Sequence, residues 1–250
     1  MNGTLRLQPE EQGRRAHMTE EFVFHPQLDE NGQPVIVSSP TPAGPAENWL
    51  DSALAATFSI TEPGDLPASL NGIPFSHVKL TDRDWVRFLR RYEDWPDRPE
   101  PRTSKRLTSG LVIAEPDGRF WLVHPTNRFG GVEATFPKGR LEPGLSLVVN
   151  AIKEGWEESG ILAEPLGWLC DVDRTKTVTR YYMARRVAGS PVDAGWESQA
   201  VSLVPASTLL EYLNRPNDRK ILPAIAAWRA RAQRRASALR ADAVCAPALL

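Results

Sequence analysis

Three glutamates crowd the middle of this 250-residue chain: Glu154, Glu157 and Glu158. Their spacing of i, i+3 and i+4 stacks them on one face of a helix. Like charges so placed repel by roughly 0.2–0.5 kcal/mol per pair, and a helix with a purely structural task would separate them or interleave lysines. A divalent cation reverses the sign of that interaction. Mg²⁺ takes oxygen ligands and binds through a few carboxylates together with substrate phosphates. Just upstream, Phe136-Pro137-Lys138-Gly139 offers a backbone carbonyl and a phosphate-facing cation. The combination could support metal-dependent chemistry at a phosphoryl or pyrophosphate group. The alternative is a solvated charged helix face, the usual fate of such a cluster.

The register extends beyond the glutamates. Residues 139–161 read GRLEPGLSLVVNAIKEGWEESGI, which resembles the Nudix hydrolase signature G-x5-E-x7-R-E-U-x-E-E-x-G-U, with U a bulky aliphatic residue. Gly139, Glu154, Glu157, Glu158, Gly160 and Ile161 fall in register, and the lead-in from Phe136 with Glu142-Pro143-Gly144 is similar to the family's loop. Three positions depart: Leu145 stands where a glutamate belongs, Lys153 for an arginine and Gly155 for an aliphatic residue. The resemblance covers about residues 107–225. It implies that Glu154, Glu157 and Glu158 bind one to three Mg²⁺ or Mn²⁺ ions, with the Lys138 carbonyl as a further contact. It also implies hydrolysis of a phosphoanhydride in a nucleoside- or inositol-diphosphate-linked substrate.

The departures carry their own expectations. Lys153 offers a point charge where the family's arginine forks onto a carboxylate. Leu145 removes a carboxylate that, in the family, supports metal-bound water or the arginine; Glu142, three residues upstream, is the candidate substitute. Gly155 loosens the helix by about 1 kcal/mol relative to alanine and leaves room for Trp156 or for close approach to a sheet. A catalytic base in this family can come from outside the box. Glu197 is the first candidate and Glu164 the second, the alternative being ordinary loop carboxylates. Lys138, Arg140, Arg174, Lys176 and Arg180 are the candidate phosphate clamp, unless they are scattered surface cations. His124 and Arg128 are candidates to line a pocket.

Substrate markers are sparse. The loop 136–139 with the basic turn 173–176 is similar to the branch that cleaves diphosphoinositol and diadenosine polyphosphates. Thr175 stands where an ADP-ribose pyrophosphatase would carry proline; that activity, or a nucleotide-sugar pyrophosphatase, is the near rival. The tyrosine typical of many dinucleoside polyphosphate hydrolases is missing, although Tyr181 and Tyr182 follow a few residues on. A degenerate, non-catalytic Nudix nucleotide-binding module is the rival of another class: Leu145 and Gly155 favour it, and the intact glutamate set argues against it. A structural role, with the proline-rich region as interaction part, is third.

The elements that must position these residues can be read from periodicity. Runs at 110–114 and 120–124, joined by Pro116-Asp117-Gly118, form a hairpin. A loop at 124–134, a helix at 147–159, strands at 162–171 and 178–187 about a turn at 173–176, and a last strand at 200–204 follow. A helix over 205–213 with proline in its first turn and an Ala/Arg-rich helix over 221–239 complete the pattern. It predicts a mixed sheet sandwiched between helices, an α/β/α arrangement and the fold the resemblance implies. Upstream, 19–105 reads as a separate, irregular, proline-rich region that packs on the catalytic domain, shapes its pocket or mediates homodimer contact. It holds a loop at 38–46, helical spacing at 48–58 and 82–92 (Trp85, Phe88 and Leu89 on one face) and a linker at 94–101. The expected units are a disordered tail 1–18, the region 19–105, a Nudix domain 106–225 and a C-terminal helix and tail 226–250. Met18 leaves open whether 1–17 is a tail or an over-called start.

Composition excludes several classes. At 41% hydrophobic and 24% charged the chain is ordinary for a soluble protein, and its net charge of -1 gives no bulk attraction to nucleic acid or anionic membrane. No apolar run approaches the roughly 20 residues that span a bilayer, and the N-terminus lacks a signal-peptide core. Cys170 and Cys245 alone make no disulfide framework and no metal spacing. The expectation is a cytoplasmic protein with a phosphate-rich small-molecule substrate and neither membrane nor nucleic acid as partner. Arg229, Arg231, Arg234, Arg235 and Arg240 suit a solvated helix end, the alternative being contact with RNA or another acidic partner.

Overall fold

The computed structural model describes residues 22–245. The expected tail, Met18 and residues 246–250 lie outside the described residues, as do the side chains of Arg235, Arg240 and Cys245. Short strands β1 (Val23–Phe24) and β2 (Ile36–Val37) pair first. A 3-10 turn at Ala46–Trp49, β3 (Ala56–Ser59), a small hairpin of β4 (Ser69–Leu70) and β5 (Ile73–Pro74), and helix α1 (Asp82–Arg90) follow. Then come β6 (Arg106–Ala114), β7 (Arg119–Pro125), β8 (Lys138–Arg140), helix α2 (Leu147–Ser159), β9 (Ile161–Asp173), β10 (Thr177–Gly189) and β11 (Ser198–Pro205). Two short helices, α3 (Leu209–Tyr212) and α4 (Pro216–Arg219), lead to the long α5 (Leu222–Cys245).

The main sheet is seven-stranded, in the order β3-β11-β7-β6-β10-β9 with β8 attached to β6. It is mixed: β6 and β10 run parallel and the other pairs antiparallel. Alternation along each strand sorts side chains to two faces. Leu111, Ile113, Trp121, Tyr182 and Ala184 meet the apolar side of α2, while Phe120, Leu122, Phe136, Tyr181 and Met183 share the other core with Ile225 of α5. This is the expected α/β/α sandwich.

One irregularity positions the site. The β6–β7 hairpin turns at Pro116-Asp117-Gly118, with Gly118 at φ 91. Its strands pair only at Ala114–Phe120 and then part. Residues 135–140 wedge into the gap: Thr135 bridges to Val123, and β8 runs antiparallel to residues 108–110 of β6. Gly110 permits the approach, because a Cβ there would sit 2.3 Å from the Pro137 carbonyl oxygen. The wedge carries Lys138 and Gly139 to the flank of α2.

The proline-rich region is not a separate unit. Residues 48–58 form no helix: Trp49 is buried in the 3-10 turn, and β3 pairs with β11, extending the sheet. The apolar residues there serve strand alternation, with Ala56 and Phe58 facing the core. Three buried arginines of the main sheet grip the region's backbone carbonyls. Arg119 donates to those of Asn48, Trp49 and Asp51, Arg186 to those of Leu70 and Ile73, and Arg180 to those of Arg98 and Pro99. The expected helix over 205–213 is also corrected. Pro205 ends β11, a turn follows in which Thr208 N–H donates to the Pro205 carbonyl, and only Leu209–Tyr212 is helical. The last helix begins at Leu222 and runs past the expected 239 to Cys245.

Candidate active site

Helix α2 has a start and a stop fixed by chemistry. The Ser146 side chain caps it, accepting from Val149 N–H, which satisfies one of the open donors of the first turn. Gly160 ends it in the left-handed conformation at φ 69, with its N–H on the Trp156 carbonyl. Glycine is required there twice over: a Cβ would also lie 2.2 Å from the Ser190 carbonyl oxygen. Gly155 answers the expectation of close approach, since a Cβ would stand 2.8 Å from Leu111 Cδ1.

This seating puts the glutamates on the wedge. The Glu154 carboxyl lies directly over Gly139, where an added Cβ would fall 2.0 Å from its Cδ. Glu158 accepts from Lys138 N–H at 2.7 Å. Burial, and then the charges of Glu158 and Glu157, push the Glu154 carboxyl up to about 8. Burial pushes Glu158 up to about 7, against the lowering effect of Lys138 and with Glu197 and Glu157 adding to the rise. Two adjacent acids therefore hold their protons near neutrality, because burial first and the neighbouring carboxylates second disfavour their ionised forms.

The box departures are resolved locally. Lys153 donates to Glu142 at 2.7 Å and to Glu157, four residues on, at 2.8 Å. Partial desolvation opposes its charge, yet these two carboxylates raise its pKa overall. Glu142 thus supplies a carboxylate partner to the box cation, while Leu145 packs against the core. Asn150 holds the Glu142 loop: fully buried, it accepts from Glu142 N–H at 2.9 Å and donates to Ser109 Oγ at 3.1 Å. Sequence reading passed over this residue, although a lone asparagine in the apolar run VVNAI was its signal.

Glu197 stands on the loop before β11. Gly195 N–H donates to the Glu157 carbonyl at 2.7 Å, and Thr126 N–H to the Glu197 carbonyl at 2.8 Å. The Glu197 side chain is exposed, yet its pKa is raised, first by the surrounding protein's desolvation and then by Glu157 and Glu30, against Lys138 and Lys153. It therefore shares the field of the box. Arg140 is exposed beside Gly139.

The rest of the expected clamp is reassigned. Arg174 is committed to Asp218 at 2.5 Å and to Tyr181 and Thr179 at 3.0 Å. Arg180, 2% exposed, is held by Asp171 and Asp97 as well as two carbonyls. With Nε and Nη2 of Arg174 and all three nitrogens of Arg180 bonded inside the protein, both guanidiniums serve the fold. Lys176 is exposed on the β9–β10 turn; its neighbour Thr177 pairs with Arg106, four residues along β6 from the partner of Lys138. Glu164 pairs with Arg91 and Arg185 and is no spare base. His124 and Arg128 do line a cavity of about 310 Å³, with Pro40, Thr41, Glu133 and Tyr212. Burial, with Arg128 adding, drives His124 down to about 4, so its imidazole is neutral. A hollow of about 410 Å³ along α1 is lined by Arg83, Val86, Arg87 and Arg90 and by no residue of the box.

The donor set suits a hard divalent cation: Glu154, Glu157, Glu158 and the Lys138 carbonyl are all oxygen donors. Among the described residues no three carboxyl, imidazole or thiol groups already converge as a ligand cage, because Glu157 is drawn to Lys153 and Glu158 to Lys138 N–H. The fit is one of chemistry and proximity, and Glu157 would exchange its lysine for the ion.

Residues 104–225 match the NUDIX domain family. No curated protein matches the chain. Similar solved structures include a Nudix hydrolase from Nitrosomonas europaea, 18% identical over 50% of this chain and 90% of that one, TM-score 0.45. An ADP-ribose pyrophosphatase from Streptococcus suis is 18% identical over 50% and 92%, TM-score 0.41. An Ap4A hydrolase from C. elegans is 20% identical over 50% and 98%, TM-score 0.40. The activities in these names belong to those proteins. Among the described residues no helix is long and apolar enough to cross a membrane. The matched segment holds the wedge, the capped glutamate helix and all of the mixed sheet but β3, and it makes residues 104–225 a Nudix domain.

Proposed function

We propose that the chain is a Mg²⁺-dependent hydrolase of a phosphoanhydride bond in a nucleoside- or inositol-diphosphate-linked small molecule. One observation carries this: Glu154 and Glu158 are seated on Gly139 and Lys138 N–H with too little positive charge around them. Glu154, Glu157, Glu158 and the Lys138 carbonyl would hold the ion. When bound, it would polarise a bridging phosphate and lower the pKa of the attacking water. Glu197 takes the proton of that water as general base. Lys138 and Arg140 balance phosphate charge, and Lys153 orients Glu157 and Glu142. Arg128 and His124, whose imidazole is neutral, line the cavity that would take the organic part of the substrate. The cytoplasm, where Cys170 stays a free thiol, is the expected compartment.

The substrate class is a choice between diphosphoinositol or diadenosine polyphosphates and ADP-ribose or nucleotide sugars. Arg174 is bound to Asp218, which withdraws part of the basic turn that favoured the polyphosphates. The test is Mg²⁺-dependent product formation on a panel of these compounds and nucleoside triphosphates, with Glu158→Gln as control. Turnover of one class, abolished in the variant, supports the enzyme and names its substrate. Thermal stabilisation by one compound without turnover would replace it with a ligand-binding module, a reading that Leu145 favours.

A further inference from the structure

The loop that carries Glu197 has no ladder of its own. Residues 194–198 are tied to the box helix by Gly195 N–H on the Glu157 carbonyl and to the sheet by Thr126, whose N–H and hydroxyl donate to the carbonyls of Glu197 and Trp196. The remaining side is closed from far away in sequence, by the hairpin of β1 and β2, which precedes the matched family segment entirely.

His25 of that hairpin is 4% exposed. Its Nδ1 accepts from Gln27 N–H at 3.0 Å, which leaves Nε2 as the protonated nitrogen, and Nε2 donates to the Ser198 carbonyl at 3.1 Å. Gln27 Nε2 donates to the Ala194 carbonyl at 3.0 Å. One histidine and one glutamine thus hold the two ends of the loop. The hairpin is itself pinned to the strand ends behind Glu197. Asn127, in the left-handed conformation at φ 54, accepts from Ser38 N–H and donates to the Ile36 carbonyl. Gln199 donates to the Ser39 carbonyl and Thr41 Oγ1, and its own oxygen accepts from Asn127 N–H. The turn between the two strands carries Glu30, whose charge acts on Glu197. The bonds of His25 to Ser198, Gln27 to Ala194 and Gln199 to Ser39 join residues more than a hundred and fifty positions apart, a long-range closure that costs chain entropy and must be repaid by what it fixes.

We infer that the hairpin of residues 23–37 is a positioning device for Glu197, with His25 and Gln27 clamping the ends of its loop against the box helix. The inference rests on the reading of Glu197 as general base. His25 and Gln27 are positioning residues: they act through the loop and touch neither substrate nor ion.

The experiment uses the full chain and three variants: His25→Phe, which removes both ring hydrogen bonds, His25→Gln, which restores a donor, and Gln27→Ala at an exposed site. Amide hydrogen exchange is followed in the Glu197 loop and in α2, and kcat and KM are measured with the panel compound that is turned over. His25→Phe and Gln27→Ala should speed exchange of the Gly195 and Ser198 amides by about tenfold or more and leave the α2 amides unchanged. In His25→Phe kcat should fall by about tenfold with KM little changed, as a small misplacement of a reacting group does, and His25→Gln should recover most of it. Combining His25→Phe with Glu197→Gln should be no slower than Glu197→Gln alone. Unchanged exchange in both His25→Phe and Gln27→Ala, or losses that multiply in the double variant, would overturn the inference. If His25→Phe does not fold, Gln27→Ala decides by the same readouts. If the native chain turns over nothing on the panel, the functional reading fails, while the exchange result still decides whether the hairpin holds the loop.

Discussion

Two clusters of charge in this molecule have opposite characters. At the junction of the proline-rich region and the sheet, charges are matched: Glu115 and Arg186, both with fully buried side chains, meet at 2.6 Å, and Trp121, Asn71 and two carbonyls fill their remaining bonds. On α2 the acids are partly buried and outnumber their partners, so that burial first, and repulsion among the acids after it, push Glu154 and Glu158 up to about 8 and about 7. A saturated polar network specifies a fold, whereas an unbalanced one awaits a ligand. The contrast explains why Arg180 and Arg174, attractive as cations in the sequence, belong to the architecture, and why the phosphate cations proposed for the site are Lys138 and Arg140.

Breaking the matched cluster should cost most. Arg186→Met leaves Glu115 buried without its cation and should destabilise the chain by about 3–5 kcal/mol, read as a large fall in Tm with loss of activity through unfolding. The unbalanced cluster should behave in reverse. Glu158→Gln removes a half-buried, crowded charge, so Tm should hold or rise while Mg²⁺-dependent kcat falls by about 10²–10³, about 3–4 kcal/mol of barrier. A lowered Tm with intact kcat would erase the distinction between the two clusters.

A pH series sharpens it. Carboxyls raised above their ordinary 4.5 to about 8 and about 7 contribute stability that is present below the ordinary value and lost as pH rises through the raised ones. In chelator, Tm should therefore fall from pH 6 to pH 8.5. Metal binding must release the same protons, so Mg²⁺ affinity should rise over that range, by up to about tenfold per unit for each proton displaced. Equal Tm shifts on adding Mg²⁺ at pH 6 and pH 8.5 would count against the assignment. The smallest expected effect is at the box departures. Glu142→Gln should weaken Mg²⁺ affinity by about tenfold through the loosened Lys153, as loss of an outer-shell partner does, and Leu145→Glu should restore part of it.

The box helix was legible to the residue because three constraints coincide there: a serine cap, an apolar stripe and a glycine stop. The hairpin and the long strands were legible from alternation and turn chemistry. Residues 48–58 were not, because their apolar spacing satisfies a helix and a bent turn-plus-strand alike, and only pairing with β11 decides. In the site, the acids could be read from local spacing. The cations could not, since whether a guanidinium is free depends on partners such as Asp97 and Asp218, distant in sequence from Arg180 and Arg174. Glu197 lay between: it was a candidate by its place before the last strand, but the hairpin that holds its loop is distant in sequence.

The three buried arginines that reach into the proline-rich region also bear on inheritance. The matched segment 104–225 is a unit of sequence similarity whose sheet and buried arginines are completed by residues outside it. A recombination event that moved it alone would deliver Arg119, Arg180 and Arg186 stripped of their carbonyl partners, and β11 as an open sheet edge ready to pair with a neighbour. A transfer that keeps these arginines and that edge satisfied would have to carry the N-terminal region along.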